Sequence, residues 1–406
     1  MKEILNFFKK NPMLVVFLFI ALVLFPTSIG TISESYKKSI VVAMAVDQDS
    51  DGITLSIMSF VPKAETGFTE NYKIIAAKGS TIALATDKAG LELGKSVVFG
   101  HTSTVIIGES IASENAVAIL DYIIRHISLS KETYLLFTNV KASETLAAVQ
   151  KMSTESNLSV NELVQNNGKY IGAKECSIED LFAGYYSRTQ TSLVSILELS
   201  DNPEIGIVVS SDEPASTGGE EGGGESGGGE GGSGGDSAKK VLINTGKTVV
   251  LKNGKLVSEL SEEAIRGVSW VQNGEIEGVV QAGDNITYSV RGRSVRGRAS
   301  FINGRPIITY NIDLKLHLEE AIGLESTYGD NLFSKEVGIA IEQNVKRDYM
   351  KALSIAREKN ADFLYIDNLF FKQCRGKWLE FLELLPDGES YLNHVKIEIS
   401  VNSVAV

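Results

Sequence analysis

The sequence predicts an α+β protein: an N-terminal membrane helix, then mixed helix-and-sheet domains, the last of them rich in antiparallel strands. Three features carry this expectation. A charge-free stretch near the N-terminus is as long as a hydrocarbon core is thick. A Gly/Glu-rich tract divides the remainder. Both flanking halves switch between strand and helix periodicity. At 406 residues with 43% hydrophobic content, the chain has room for two or three domains with sizeable cores.

Lys2, Lys9 and Lys10 precede the unbroken apolar run Met13, Leu14, Val15, Val16, Phe17, Leu18, Phe19, Ile20, Ala21, Leu22, Val23, Leu24 and Phe25. No charge appears from Met13 to Ile32. Twenty helical residues cover about 30 Å, one hydrocarbon core. Pro26 bends or ends the helix late in this stretch. Three fates are open: an uncleaved anchor, an export signal cut after Ser28-Ile29-Gly30, or a buried soluble helix. Lipid attachment needs a cysteine directly after such a cut, and Thr31 stands there. The basic residues before the run favour a cytoplasmic N-terminus with the body outside, although Lys37 and Lys38 weaken the asymmetry. Residues 1–32 are therefore taken as the membrane anchor or signal.

Ser216 to Ser237 contains no residue able to bury apolar surface. A coil of this length spans roughly 25–30 Å, more when its carboxylates repel one another. Residues 211–238 are assigned as a linker between an N-terminal α/β region, 33–210, which reads as two small subdomains, and a C-terminal α+β domain, 239–406. The linker also explains the charge. It holds seven of the twelve excess negative charges, leaving −5 elsewhere. No basic patch stands out to hold nucleic acid, and that class is set aside.

The first half opens with an alternating strand, Lys38 to Val46, the acidic turn Asp47 to Gly52, and a second strand, Ile53 to Val61. A helix over Thr81 to Leu93, an apolar strand at Thr104 to Ile107 and an amphipathic helix over Ala112 to His126 follow. A strand near Tyr134 to Thr138 precedes two or three helices. One is Ser177 to Tyr186, whose Glu179 and Asp180 suit a first turn. The strand Ile205 to Val209 closes the half. In the second half a hairpin, Thr248 to Leu251 and Lys255 to Val257, turns at Asn253-Gly254. Ser261-Glu262-Glu263 starts a short helix. Two long strands, Asn285 to Ile302 and Arg305 to Leu318, fold back at Asn303-Gly304. From Ser334 to Asn360, the stripe Val337, Ile341, Val345, Tyr349, Ala352 and Ala356 marks a long amphipathic helix. The last strand, His394 to Val401, alternates.

Few residues advertise chemistry. Asp47, Asp49 and Asp51 before Gly52 open like a calcium loop, but the twelfth position is Met58 where a bidentate glutamate is needed. An acidic hairpin turn is the better reading. Ala89 to Ser96 resembles a phosphate-binding loop, yet alanine replaces its first glycine and it follows a predicted helix where the motif requires a strand. His101, His126, His317 and His394 are scattered, with no metal-ligand spacing, and no nucleophile elbow occurs. Neither metal nor cofactor is expected. Cys176 and Cys374, on opposite sides of the linker, read as lone buried thiols. Trp270 and Trp378 read as core anchors.

Four stretches in order carry a resemblance. KKSIVVAMAVDQDSDGITLSIMSFVP starts just after the membrane junction. GKSVVFGHTSTVIIGESIA places His101 before an apolar strand and then Gly108-Glu109. GKTVVLKNGKLVSELSEEAIRGVSWVQNGEIEGVV contains Trp270, and IEQNVKRDYMKALSIAREKNADFLYIDNLFFK lies near the C-terminus. Over residues 31 to 406 the chain resembles the Ger(x)C family, the C subunits of spore nutrient-germinant receptors. His101, Gly108, Glu109 and Trp270 are its motif residues here, with no role assigned. The resemblance implies a non-enzymatic multi-domain subunit on the outer face of the spore's inner membrane. Its partners would be the membrane, a channel-like A subunit and a polytopic B subunit. Family members usually carry a lipoprotein cysteine before a tryptophan-aspartate start; Thr31-Ile32-Ser33 replaces it, so lipid attachment is lost and an intact helix would hold the chain. Two other classes stay open: an anchored module binding a small ligand, and an extracytoplasmic cell-wall hydrolase.

Overall fold

A computed structural model describes residues 37–61, 71–126 except 115, 129–156, 174–200, 207–209, 241–322 except 273 and 275, and 333–406, with residues 13, 20, 162 and 164 individually. The linker 211–238 lies outside the described residues, as does the apolar N-terminal run apart from Met13 and Ile20, which are helical and exposed. Among the described residues, no helix is long and apolar enough to cross a membrane.

Strands β1 (Lys38–Asp49), β2 (Gly52–Val61) and β3 (Asn71–Gly79) form an antiparallel meander. Helix α1 (Ile82–Leu93) starts where the Thr81 hydroxyl accepts the Leu84 N–H. It leads through β4 (Ser96–Val98) to β5 (Thr104–Gly108), whose residues are all buried, as in a parallel strand covered on both faces. β5 lies parallel to β1, β6 (Tyr134–Thr138) parallel to β5, and β7 (Thr191–Ser200) parallel to β6. Helices α2 (Glu109–Glu114), α3 (Ala116–His126) and α5 (Ile178–Tyr185) pack with α1 on one face, while α4 (Ala142–Ser156) packs on the other. The single helix expected over 112–126 is thus two, and Ala116 donates its N–H to the Gly254 carbonyl, outside any helix. Strand β7 escapes the alternation test because every position from Thr191 to Leu197 is buried, hydroxyls included.

β8 (Ile207–Val209) and β9 (Val241–Lys252) flank the linker and pair antiparallel. β10 (Lys255–Leu260) returns from β9 through Asn253 and Gly254, whose φ values of 53° and 75° suit a primed hairpin turn. β9 pairs with β7, so the hairpin encoded after the linker completes the sheet built before it. The order is β10-β9-β7-β6-β5-β1-β2-β3, with β4 beside β1 and β8 beside β9.

Ser261 caps α6 (Glu262–Val271) through the Ala264 N–H. β11 (Val279–Ala282), β12 (Ile286–Ile302) and β13 (Arg305–Ala321) form an antiparallel sheet, as expected. α7 (Lys335–Glu358), α8 (Ile366–Gln373) and α9 (Arg375–Glu383) then carry the chain back to the start of β13, so β14 (Lys396–Ala405) joins parallel to it. This parallel pair and helices α8 and α9 correct the sequence-based picture. The predicted stripe of α7 does face the core, from Ile341 and Val345 to Tyr349, Ala352 and Ala356. Helix α6 touches α7 backbone to backbone: a Cβ on Gly267 would stand 2.2 Å from the Asp348 carbonyl oxygen. One core unites Leu193 of β7 and Val250 of β9 with α6, α7, α8 and Trp378, which joins the two halves through shared apolar packing.

Candidate functional site

Parallel strands that end side by side leave a crevice beyond their carboxyl ends, where open α/β sheets bind ligands. β1, β5 and β6 end this way, and a cavity of about 300 Å³ opens there, lined by Asp47, Gln48, Asp49, Glu109, Ser110, Asn139, Lys141 and Ser143 among others. The oxygens of Asp47 accept the N–H groups of Ala142 and Ser143 at 2.7 and 2.9 Å. A carboxylate from β1 therefore caps α4 and meets the positive end of its dipole. Gln48 donates its backbone N–H to Ser110 Oγ at 3.1 Å and its Nε2 to Glu114 at 2.8 Å. Asp49 turns away to Lys78 at 2.7 Å, and this hydrogen bond holds its carboxyl below the usual range. Asp51 shares the same lysine at 3.4 Å. The three carboxylates that open like a calcium loop thus do not converge: Asp47 caps a helix, while Asp49 and Asp51 share Lys78.

The motif residues do not converge. Gly108 sits where a Cβ would come 2.8 Å from Asp47 Oδ1, so its bare backbone makes room for the capping carboxylate. Glu109 begins α2 and lines the cavity. His101 is exposed in the turn before β5, at the opposite end of that strand. Four residue steps of strand alone separate Thr104 from Gly108, roughly 13 Å. Trp270 is 1% exposed, in the other half of the chain, and donates its Nε1–H to Asp348 at 3.3 Å. Arg266 reaches the same oxygen at 3.1 Å. Trp270 and Trp378 are both core residues, as their sequence contexts imply.

Sequence reasoning missed the polar junction between the halves. Arg188, in the loop before β7, donates to both oxygens of Asp367 on α8 at 2.9 and 3.3 Å. Trp378 Nε1–H donates to Asp367 Oδ1 at 2.8 Å. The Arg188 guanidinium also lies 4.6 Å from the centre of the Phe371 ring. Asp362 accepts the N–H groups of Ile366 and Asp367 at 3.0 and 2.8 Å, and the Tyr391 hydroxyl at 2.8 Å. It caps α8 in place of Tyr365, which occupies the N-cap in a left-handed conformation without a side-chain bond. Burial pushes the Asp362 carboxyl up, partly offset by these three donors. Lys174, ahead of α5, donates its Nζ to the Gln272 side-chain oxygen beyond α6 at 2.9 Å, a second polar tie between the halves. The available signal was the pair of acids in ADFLYIDNLFF: carboxylates inside an apolar run are buried only when paired or capping.

The polar groups of this arrangement cap helices and brace contacts. Among the described residues, no group of three or more His, Cys, Asp or Glu stands close enough to hold a metal ion. Burial pushes the Cys176 thiol up, away from the thiolate a nucleophile needs. Cys374 is free but only partly buried, which corrects the expectation of two fully buried thiols.

Two family models match the chain in order. Residues 33–199 match the spore germination protein N-terminal domain, and residues 245–404 match the spore germination B3/GerAC-like C-terminal domain. No curated protein matches the chain significantly. Among solved structures, one described as the crystal structure of the GerBC protein is similar at 17% identity and a TM-score of 0.47, covering 89% of this chain and 96% of that one. The two matched segments lie on either side of the acidic linker and together span most of the sequence, and the chain belongs to the Ger(x)C family of spore germination proteins.

Proposed function

We propose that the protein is the non-enzymatic C subunit of a spore germinant receptor, held on the extracytoplasmic face of the spore's inner membrane by its own N-terminal helix. It supports assembly and signalling beside polytopic A and B subunits. The ordered match of both halves to germination domains carries this reading. The shared core and the Arg188–Asp367 junction suit a brace that transmits position between its halves. Purification of the detergent-solubilised chain from spores, with identification of what accompanies it, tests the reading. Two polytopic companions and loss of nutrient germination on deletion are expected; a chain free of both effects refutes it. Retention by an uncleaved helix is tested on the mature protein. An N-terminus beginning at Thr31, or covalently bound fatty acid, refutes that part alone.

The crevice at the ends of β1, β5 and β6 favours one alternative, an anchored small-ligand-binding module. A stoichiometric ligand in calorimetry, with affinity lost on Lys141→Ala, would support it.

A further inference from the structure

The solvent side of α1 is unusual for a protein surface. Leu84, Lys88 and Leu91 recur at spacings of four and three, so they share one ridge of the helix. Leu84 is 48% exposed and Leu91 81%. The acids of this helix, Asp87 and Glu92, lie at the two flanks of the ridge. Gly94 ends the helix in a left-handed cap, and the exposed Lys95 beyond it lines a shallow surface hollow together with Leu91, Asp87 and Lys37. Lys95 has no carboxylate within ion-pair distance among the described residues. Lys88 donates to the Lys78 carbonyl at 2.7 Å and remains exposed. Two exposed leucines interleaved with lysines are the composition of a helix lying at a lipid–water boundary, with leucines in the acyl region and lysine heads at the phosphates.

Position singles out the same surface. Lys37 stands in this hollow, and Lys37 carbonyl accepts the Ser96 N–H at 2.9 Å, which ties the chain entry to the end of α1. Only six residue steps separate Ile32, near the end of the uncharged stretch, from Lys38 at the start of β1. Six residues reach at most about 20 Å even when fully stretched. Whatever holds residues 13–32 in a bilayer holds this ridge beside it.

We propose that the α1 ridge, Leu84, Lys88 and Leu91 with Lys37 and Lys95, docks on an anionic lipid surface and fixes the orientation of the body on the membrane. The proposal rests on the anchoring reading above. The chain's net negative charge, seven units of which fall in residues 211–238, would otherwise oppose approach to anionic lipid, and this ridge supplies a local exception where the tether emerges.

The test uses the full chain reconstituted into phosphatidylcholine vesicles with and without phosphatidylglycerol, the lipids carrying brominated acyl chains as quenchers. Trp270 and Trp378 are fully buried, so Leu91→Trp adds an exposed reporter, and Leu384→Trp, at an equally exposed position that caps the C-terminus of α9, serves as the comparison. Quenching and a blue shift at position 91, absent at 384 and strengthened by phosphatidylglycerol, are expected. Lys95→Gln should lower the ratio of docked to undocked chain about fivefold, the factor for one lysine at an anionic surface. Vesicle flotation is read in parallel. A chain that floats while position 91 remains unquenched, or is quenched equally with 384, overturns docking and leaves anchoring intact. A chain that does not float overturns both. Shielding of position 91 in native membranes but not in vesicles assigns the ridge to a protein partner and overturns the lipid proposal.

Discussion

Arg188→Ala removes one polar link between the halves, the ion pair with Asp367. Its partner Asp367 has a side chain only 5% exposed, and after the substitution that carboxylate keeps the Trp378 N–H as its side-chain donor. Breaking a fully buried pair costs about 3–5 kcal/mol, because the remaining charge stays desolvated. Arg188 is itself 43% exposed, which weakens the pair through solvent screening, and loss of its contact with Phe371 adds a little back. The net expectation is about 2–3 kcal/mol. Because Asp367 sits in the first turn of α8, the loss should appear as local opening before global unfolding. Amide exchange over residues 362–378 should accelerate some thirty- to a hundredfold, with little change in α4, which packs in a separate apolar cluster. Adding Asp367→Asn removes the stranded charge, so the double variant should exchange more slowly than the sum of the single effects predicts. A change below about threefold in the 362–378 segment, or a coupling under about 0.5 kcal/mol, would falsify the view that this pair braces the halves.

Gly267→Ala should destabilise the second half by about 3 kcal/mol, read as a lowered denaturant midpoint by Trp270 and Trp378 fluorescence, because its methyl has no room beside the Asp348 carbonyl. Asp47→Ala should cost about 1–2 kcal/mol and speed exchange at the N-terminus of α4, where two N–H groups lose their acceptor; unchanged exchange there would remove the capping argument. The folded-state pKa of Asp362 is raised above 3.8, so its contribution to stability is fully present below that value and is lost as pH rises through the raised one. The penalty of Asp362→Asn should therefore be larger near pH 3.5 than at neutral pH, as measured by melts across that window. Glu263, in the first turn of α6, is held down to about 2 by backbone and Lys351 hydrogen bonds. Glu263→Gln should flatten the stability wild type loses as pH falls from 4.5 towards 2, although solvent screening keeps this effect small.

Periodicity and turn chemistry were enough to locate the elements that depend on local physics. The stripe of α7, the caps at Thr81, Ser177 and Ser261, and the Asn-Gly turns all announce themselves within a few residues. So did the class, α+β, and the family, because ordered motifs survive without any knowledge of contacts. Strand β7 stayed hidden because burial on both faces erases alternation; β14 shows as an alternating strand, but its parallel pairing depends on where three intervening helices deliver the chain. The candidate site was less legible still. Asp47 reads locally as one carboxylate of an acidic turn, yet its partner lies 95 residues on; Arg188 and Asp367 stand 179 apart. The order of residues dictated most of the segments that become helix or strand, and it places an acidic Gly/Glu-rich tract between the two matched regions. Only packing decided that a hairpin from beyond that tract closes the first sheet and that Arg188 meets Asp367 across the halves, since both outcomes balance desolvation against contacts that no local stretch contains.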